Sequence, residues 1–272
     1  VLHSGIYYKP GSLKAINCRK GKKAMEQFCS EYGIEHELCG KIIVALNEDE
    51  IPRLHTIFQR GKENGVECEI ISRKRMLEIE PHVTGVKAIH VPEAGIVNYG
   101  QVCIRLGELV EEKDENRILL NHSVLGIRNF QEHVVVETNH GAIECKQVIN
   151  CGGLHSDRLA TLGGNKSPAK IIPFKGEYFK LNDKAKRVCK HLIYPVPDPQ
   201  FPFLGVHFTR MTDGSVECGP NAVLAFGREA YGKFDLNLKD LLESLTYPGF
   251  QKMALKHWKM GLGDCLLYTS TL

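Results

Sequence analysis

Apolar residues at Leu13, Ile16, Ala24 and Phe28 recur at roughly helical spacing behind Ser12, whose hydroxyl suits a helix N-terminus, so residues 12–32 read as a helix. A short apolar run follows Gly40 and Lys41 and predicts a strand over 40–46. Ile51, Leu54, Ile57 and Phe58 then share one face of a second helix, 48–63, which Asn64-Gly65 ends. A strand at 68–71, a short helix at 73–79 stopped by Pro81, a strand at 86–91 and a helix from Asn98 to about 112 complete the first part. From Arg117 the pattern becomes a meander of strands at 118–120, 124–127, 133–138 and 142–150. The last strand runs into Gly152-Gly153 and a helix at 156–162. Beyond Pro168, strands at 171–174, 177–181, 204–209 and 215–218 precede a helical region at 238–257. The run 193–199 holds three prolines, too many for a central strand, and reads as an edge or a binding loop. The order is that of a mixed α/β (α+β) chain without internal repeats.

With 272 residues, 43% apolar and 25% charged, the composition is that of a soluble globular protein of one large or two ordinary domains. No stretch approaches the roughly 18 apolar residues of a membrane span. A net charge of +3 gives no argument for nucleic acid, and the basic clusters at Arg19-Lys20, Arg73-Lys74-Arg75 and Lys186-Arg187 read as solvated faces. The ten cysteines include no C-x-x-C pair and the twelve histidines no H-x-x-x-H spacing, so reduced thiols and no zinc site are expected.

Two segments carry candidate chemistry. The opening His3-Ser4-Gly5-Ile6-Tyr7-Tyr8 sets a glycine, an imidazole and two phenols in one loop; it reads either as a loop against a flat ligand or as a frayed polar terminus. Strand, Cys151-Gly152-Gly153, then helix is a geometry that brings N–H groups to a phosphate, or an ordinary tight β–α turn.

Six segments together resemble the L-2-hydroxyglutarate dehydrogenase/oxidase family, FAD enzymes of the D-amino-acid-oxidase-like superfamily. They are residues 3–15, 39–44 (CGKIIV), 94–99 (AGIVNY), 172–179 (IPFKGEYF), 193–209 (IYPVPDPQFPFLGVHFT) and 213–226 (DGSVECGPNAVLAF). They span nearly the whole chain in the family's order. The resemblance implies a FAD-binding Rossmann-like domain, here incomplete, at 1–40 and 100–165. It also implies an antiparallel-sheet substrate domain at 41–99 and 166–260. The G-x-G-x-x-G unit of the family is absent, and the match fades near Gly263, leaving 261–272 as a tail outside the pattern.

By resemblance, the chemistry is oxidation of the C2 hydroxyl of L-2-hydroxyglutarate to 2-oxoglutarate, with FAD as cofactor and a quinone-type acceptor or oxygen downstream. His207 is favoured as the base or oxyanion partner, with His3 as a flavin or substrate contact. Ser4, Gly5, Ile6, Val124, Cys151, Gly152 and Gly153 are the expected cofactor residues. Tyr7, Lys175, Tyr194, Arg210 and Asn221 are the expected substrate residues, Lys175 standing where the family commonly has Arg. Family members are cytoplasmic or peripheral to the inner membrane in bacteria and mitochondrial in eukaryotes. The competing expectations are a flavin amine oxidase, and an inactive fragment that does not hold FAD.

Overall fold

In a computed structural model the chain is described at residues 1–198, 205–232 and 234–269, with side chains up to residue 258. Its contacts group into two units, Val1–Asn116 with Gly176–Asn221, and Arg117–Lys175 with Ala222–Leu272. In chain order the elements are α1 (Leu13–Glu31), β1 (His36–Glu37), β2 (Lys41–Ala45), α2 (Ile51–Glu63), β3 (Glu69–Ser72), α3 (Arg73–Ile79), β4 (Lys87–Val91), β5 (Ile96–Val97) and α4 (Tyr99–Glu111). There follow β6 (Val124–Asn129), β7 (Val134–Thr138), β8 (Gly141–Cys145), α5 (Ser156–Leu162), β9 (Phe174–Lys180), β10 (Leu192–Pro195), β11 (His207–Arg210), β12 (Val216–Leu224), α6 (Leu238–Thr246) and α7 (Pro248–Thr269). The mixed α/β class holds.

The first unit is organised on a sheet of order β3-β4-β2-β10-β11-β12-β9. β2 and β10 are parallel, whereas β3–β4, β4–β2, β10–β11 and β11–β12 are antiparallel. All five residues of β2 are buried, because both faces of this central strand are covered. On one face Ile43, Ala45, Ile89, Leu192 and Tyr194 pack with Leu54 and Ile57 of α2 and with Ile6 of the opening loop. On the other, Ile42, Val44 and Ala88 pack with Ile71 and Met76. Each such aliphatic side chain contributes roughly 1.5–3 kcal/mol by leaving water. Gly61 of α2 is needed for this packing, since a Cβ there would lie 2.9 Å from Ile6 Cγ1 and 3.0 Å from Cys68 Sγ.

The caps expected at Ser12 and Asn98 form: Ser12 Oγ accepts from Ala15 N–H and Asn98 Oδ1 from Gln101 N–H. Five expectations are corrected. Residues 118–120 form no strand, and the strand expected over 142–150 ends at Cys145. Strands 171–174 and 177–181 are one strand, β9, that passes through Gly176. The helical region 238–257 is two helices split at Tyr247-Pro248, where proline disfavours helix in the residue before it. Most consequentially, the proline-rich run is a central strand: β10 lies between β2 and β11. Leu192 and Val196 donate their N–H groups to Gly40 and Val44, while Pro195 and Pro197 take the alternate positions facing β11. There the ladder is a single pair, Ile193 with Phe208, so the missing donors cost little. Pro199 of that run and residues 200–204, including the start expected for the 204–209 strand, lie outside the described residues.

The second unit holds the three-stranded antiparallel meander β6-β7-β8. It also holds an ion cluster. Arg228 pairs with Asp157 (Nη2 to Oδ2 2.8 Å), and Arg158 with Asp240 and Glu243. The Arg228 guanidinium holds the Asp157 carboxyl well below the ordinary carboxylate range.

Candidate functional site

Three adjacent strands of the first unit present chemically distinctive residues on one face. Lys41 opens β2, Tyr194 lies in β10 and His207 opens β11. The antiparallel register that pairs Ile193 with Phe208 sets Tyr194 beside His207, and their rings stack with centroids 4.1 Å apart. Lys41 is 1% exposed, and its ammonium lies over the Tyr7 ring at 4.8 Å and the Tyr194 ring at 4.9 Å. The opening loop supplies Tyr7 and His3.

That loop is tied down, not frayed. Leu2, Ser4 and Ile6 are buried. Arg19 of α1 donates to Ser4 O at 3.1 Å, and Cys18 Sγ to His3 O at 3.2 Å. Asn64, at the end of α2, donates through Nδ2 to Gly5 O at 3.1 Å and Tyr8 O at 2.9 Å. Asn64→Ala removes both bonds, and we expect a loss of about 1–2 kcal/mol in urea unfolding together with a raised KM. Unchanged values for both would show that the loop is held elsewhere.

The electrostatics follow from burial without counter-ions. Desolvation lowers the Lys41 ammonium from 10.5 to about 8, and no carboxylate pairs with it among the described residues. Desolvation first, with Lys41 and His207 adding to it, pushes the His3 imidazole down to about 4. His207 is lowered as well, by burial first and Lys41 also, against the opposing bond to Gly205 O. Both imidazoles are therefore neutral at pH 7. His207 Nδ1 lies 2.9 Å from Gly205 O; with the proton assigned to Nδ1, Nε2 carries the lone pair. Burial also raises the Tyr7 phenol.

A cavity of about 580 Å³ opens on this cluster, lined by His3, Gly5, Tyr7, Lys41, Arg53 and Arg60 among others. Tyr7, on its wall, has a buried Oη with no partner among the described residues, and in the same loop the fully buried Ser4 Oγ also has none. The residues of the loop thus fit a flavin, with Ile6 offering only backbone because its side chain is in the core.

The other expected residues are placed as follows. Arg210 is committed to Glu37 in a bidentate pair at 3.0 and 2.7 Å. Asn221 is half-buried in β12. Lys175 belongs to the second unit, where its ammonium donates to Gly232 O at 3.2 Å. Val124 begins β6 in that unit, and Cys151 is exposed there. Gly152 N–H donates to Asn150 Oδ1 at 3.0 Å, and a Cβ on Gly152 would lie 2.2 Å from Leu159 Cδ1. Those contacts hold Gly152 in the connection between Cys145, where β8 ends, and α5; Gly153 follows with φ +52°.

Sequence reasoning missed Lys41, treating it as the polar start of a strand. The available signal was a single charged residue at the head of an otherwise apolar run, KIIVA, whose length and composition mark a strand buried on both faces.

Among the described residues no helix is long and apolar enough to cross a membrane, and no cluster of His, Cys, Asp and Glu could hold a metal ion. The chain is 46% identical to the L-2-hydroxyglutarate dehydrogenase of Indibacter alkaliphilus, over 97% of its own length and 66% of that protein's. It is 42% identical to the mitochondrial L-2-hydroxyglutarate dehydrogenase of Nematostella vectensis, over 97% and 61% of the two lengths. The chain thus spans less than two thirds of the length of these relatives. In fold it is similar to the FAD-bound L-alpha-glycerophosphate oxidase of Mycoplasma pneumoniae, at a TM-score of 0.74 and 23% identity, over 86% of this chain and 63% of that one. The family model for FAD dependent oxidoreductases matches residues 1–259, the loop, the three-strand face and both units included, and the chain belongs to that family.

Proposed function

We propose that the protein oxidises L-2-hydroxyglutarate to 2-oxoglutarate with FAD as cofactor. One observation carries this reading. A chain 46% identical to an L-2-hydroxyglutarate dehydrogenase sets His3, Tyr194 and the buried Lys41 ammonium on a cavity wide enough for a five-carbon acid, with the neutral His207 imidazole stacked on the Tyr194 ring. Ser4, Gly5 and Ile6 would hold the flavin through loop backbone and the orphaned Ser4 Oγ. When bound, the flavin supplies two-electron oxidation of the substrate's C2–H bond.

The remaining work falls to the protein. His207 accepts the C2 hydroxyl proton at Nε2. The bond from Nδ1 to Gly205 O and the stacked Tyr194 ring fix its orientation. His3 contacts the substrate as a second neutral imidazole. Burial keeps bulk water off the His207 face, which is 7% exposed.

A substrate panel tests the reading against the amine-oxidase alternative. With the flavin-loaded protein, L-2-hydroxyglutarate reduces an electron-accepting dye, whereas its D-isomer, sarcosine and glycine do not. Turnover of sarcosine or glycine with none of L-2-hydroxyglutarate would replace the proposal with an amine oxidase.

A further inference from the structure

We infer that Lys41 is the carboxylate anchor of this site and the residue that makes it select a dicarboxylate; the inference rests on the function proposed above. Among the described residues, the cavity that opens on Lys41 is lined by the cations Lys41, Arg53 and Arg60, with the neutral His3 imidazole, and by no aspartate or glutamate. A cavity so furnished, with low-dielectric walls, concentrates anions.

The three cations are not equivalent. Arg53 is partly neutralised, with Asp198 at 3.4 Å and Glu50 at 3.8 Å. Arg60 is an exposed residue on the same helix, α2. Lys41 is buried, and among the described residues its ammonium lies over the faces of Tyr7 and Tyr194 with no carboxylate paired to it. Two aromatic faces attract an ammonium but do not replace the water it has lost or accept its hydrogen bonds. The hydroxyl of Tyr7, whose ring lies under that ammonium, is likewise without a partner among the described residues. One carboxylate at this position satisfies both groups: it accepts from the Lys41 ammonium and from the Tyr7 O–H, and it returns the missing counter-charge. The second carboxylate of a short dicarboxylate then faces the α2 arginines, with Arg60 the less committed of the two.

The residues expected to hold carboxylates fit less well. Arg210 is occupied by Glu37, and Lys175 is a half-buried residue bonded to a backbone carbonyl of its own unit. A point charge in an aromatic slot also suits a ligand whose end must be located without bidentate geometry.

Calorimetric titration with L-2-hydroxyglutarate, and separately with succinate, tests the assignment. It is run on the wild-type protein and on Lys41→Met, each at pH 7 and pH 9.5. Wild type binds at pH 7 and weakens markedly at pH 9.5, where the lysine is uncharged. Lys41→Met binds on the order of 30- to 1,000-fold more weakly and shows no such pH dependence. A thermal melt of Lys41→Met no lower than wild type separates lost binding from lost folding. Equal affinity of the two proteins at pH 7, or a wild-type affinity flat from pH 7 to 9.5, overturns the role of Lys41 and leaves the dehydrogenase reading standing. Lysine-dependent binding of succinate with none of L-2-hydroxyglutarate supports the anchor and refutes the substrate. If wild type binds neither acid, both fall.

Discussion

Lys41→Met raises the stability of the folded protein at neutral pH even as it removes ligand binding. The lysine is protonated up to about 10.5 in the unfolded chain but only to about 8 in the folded one. Between those values the unfolded state holds the extra proton, so wild-type stability rises with pH across the window and is lowest, by this group, below pH 8. Two and a half pH units correspond to roughly 3 kcal/mol of penalty for keeping the charge in the slot. Methionine fills the same volume without the charge and makes favourable contacts with the Tyr7 and Tyr194 rings. In urea titrations the variant therefore unfolds at higher denaturant than wild type at pH 7, and the gap narrows towards pH 10.5. A variant less stable than wild type at pH 7 would mean that the ammonium has a partner that offsets its burial. The penalty is of the kind that proteins carry where a binding site must exist before its ligand arrives.

His207→Gln is expected to lower kcat by about 10²- to 10⁴-fold, the contribution of a positioned general base. Glutamine keeps volume and a side-chain N–H for the Gly205 carbonyl, but it has no lone pair able to take a proton. The wild-type pH profile adds a second readout. Activity needs His207 unprotonated, so it falls on the acid side through a pKa that burial sets below 6.5. It needs Lys41 charged, so it falls on the alkaline side near 8. His207→Gln loses the acid limb and keeps the alkaline one, whereas Lys41→Met does the reverse. A His207→Gln enzyme with wild-type kcat would move the base to His3, whose imidazole is also neutral at pH 7.

The local signals in the chain predicted its elements well where one residue type settles the question. Ser12 and Asn98 cap helices as read, and the alternation of 133–138 is β7. The meaning of 193–199 was not legible locally. Proline density argues against a central strand until it is known that the neighbour on the proline side, β11, pairs through one residue only. The same holds for Lys41. Its burial depends on three partners distant in sequence: the Tyr7 loop, the β10 strand and the covering helix α2. His3, Tyr7, Tyr194 and His207 were readable as candidates from residue type and family resemblance. What joins them is a charged residue that no periodicity singles out. The flavin-side residues are the least legible, since Gly152 serves its own turn and the orphaned Ser4 hydroxyl becomes visible only once the loop is folded.

The most direct measurement is anaerobic mixing of the flavin-loaded protein with L-2-hydroxyglutarate, followed by the flavin's visible absorbance and by assay of the product. The flavin is expected to bleach with one equivalent of 2-oxoglutarate formed per flavin, at a rate that collapses in His207→Gln. A flavin that stays oxidised in the presence of saturating L-2-hydroxyglutarate would contradict it.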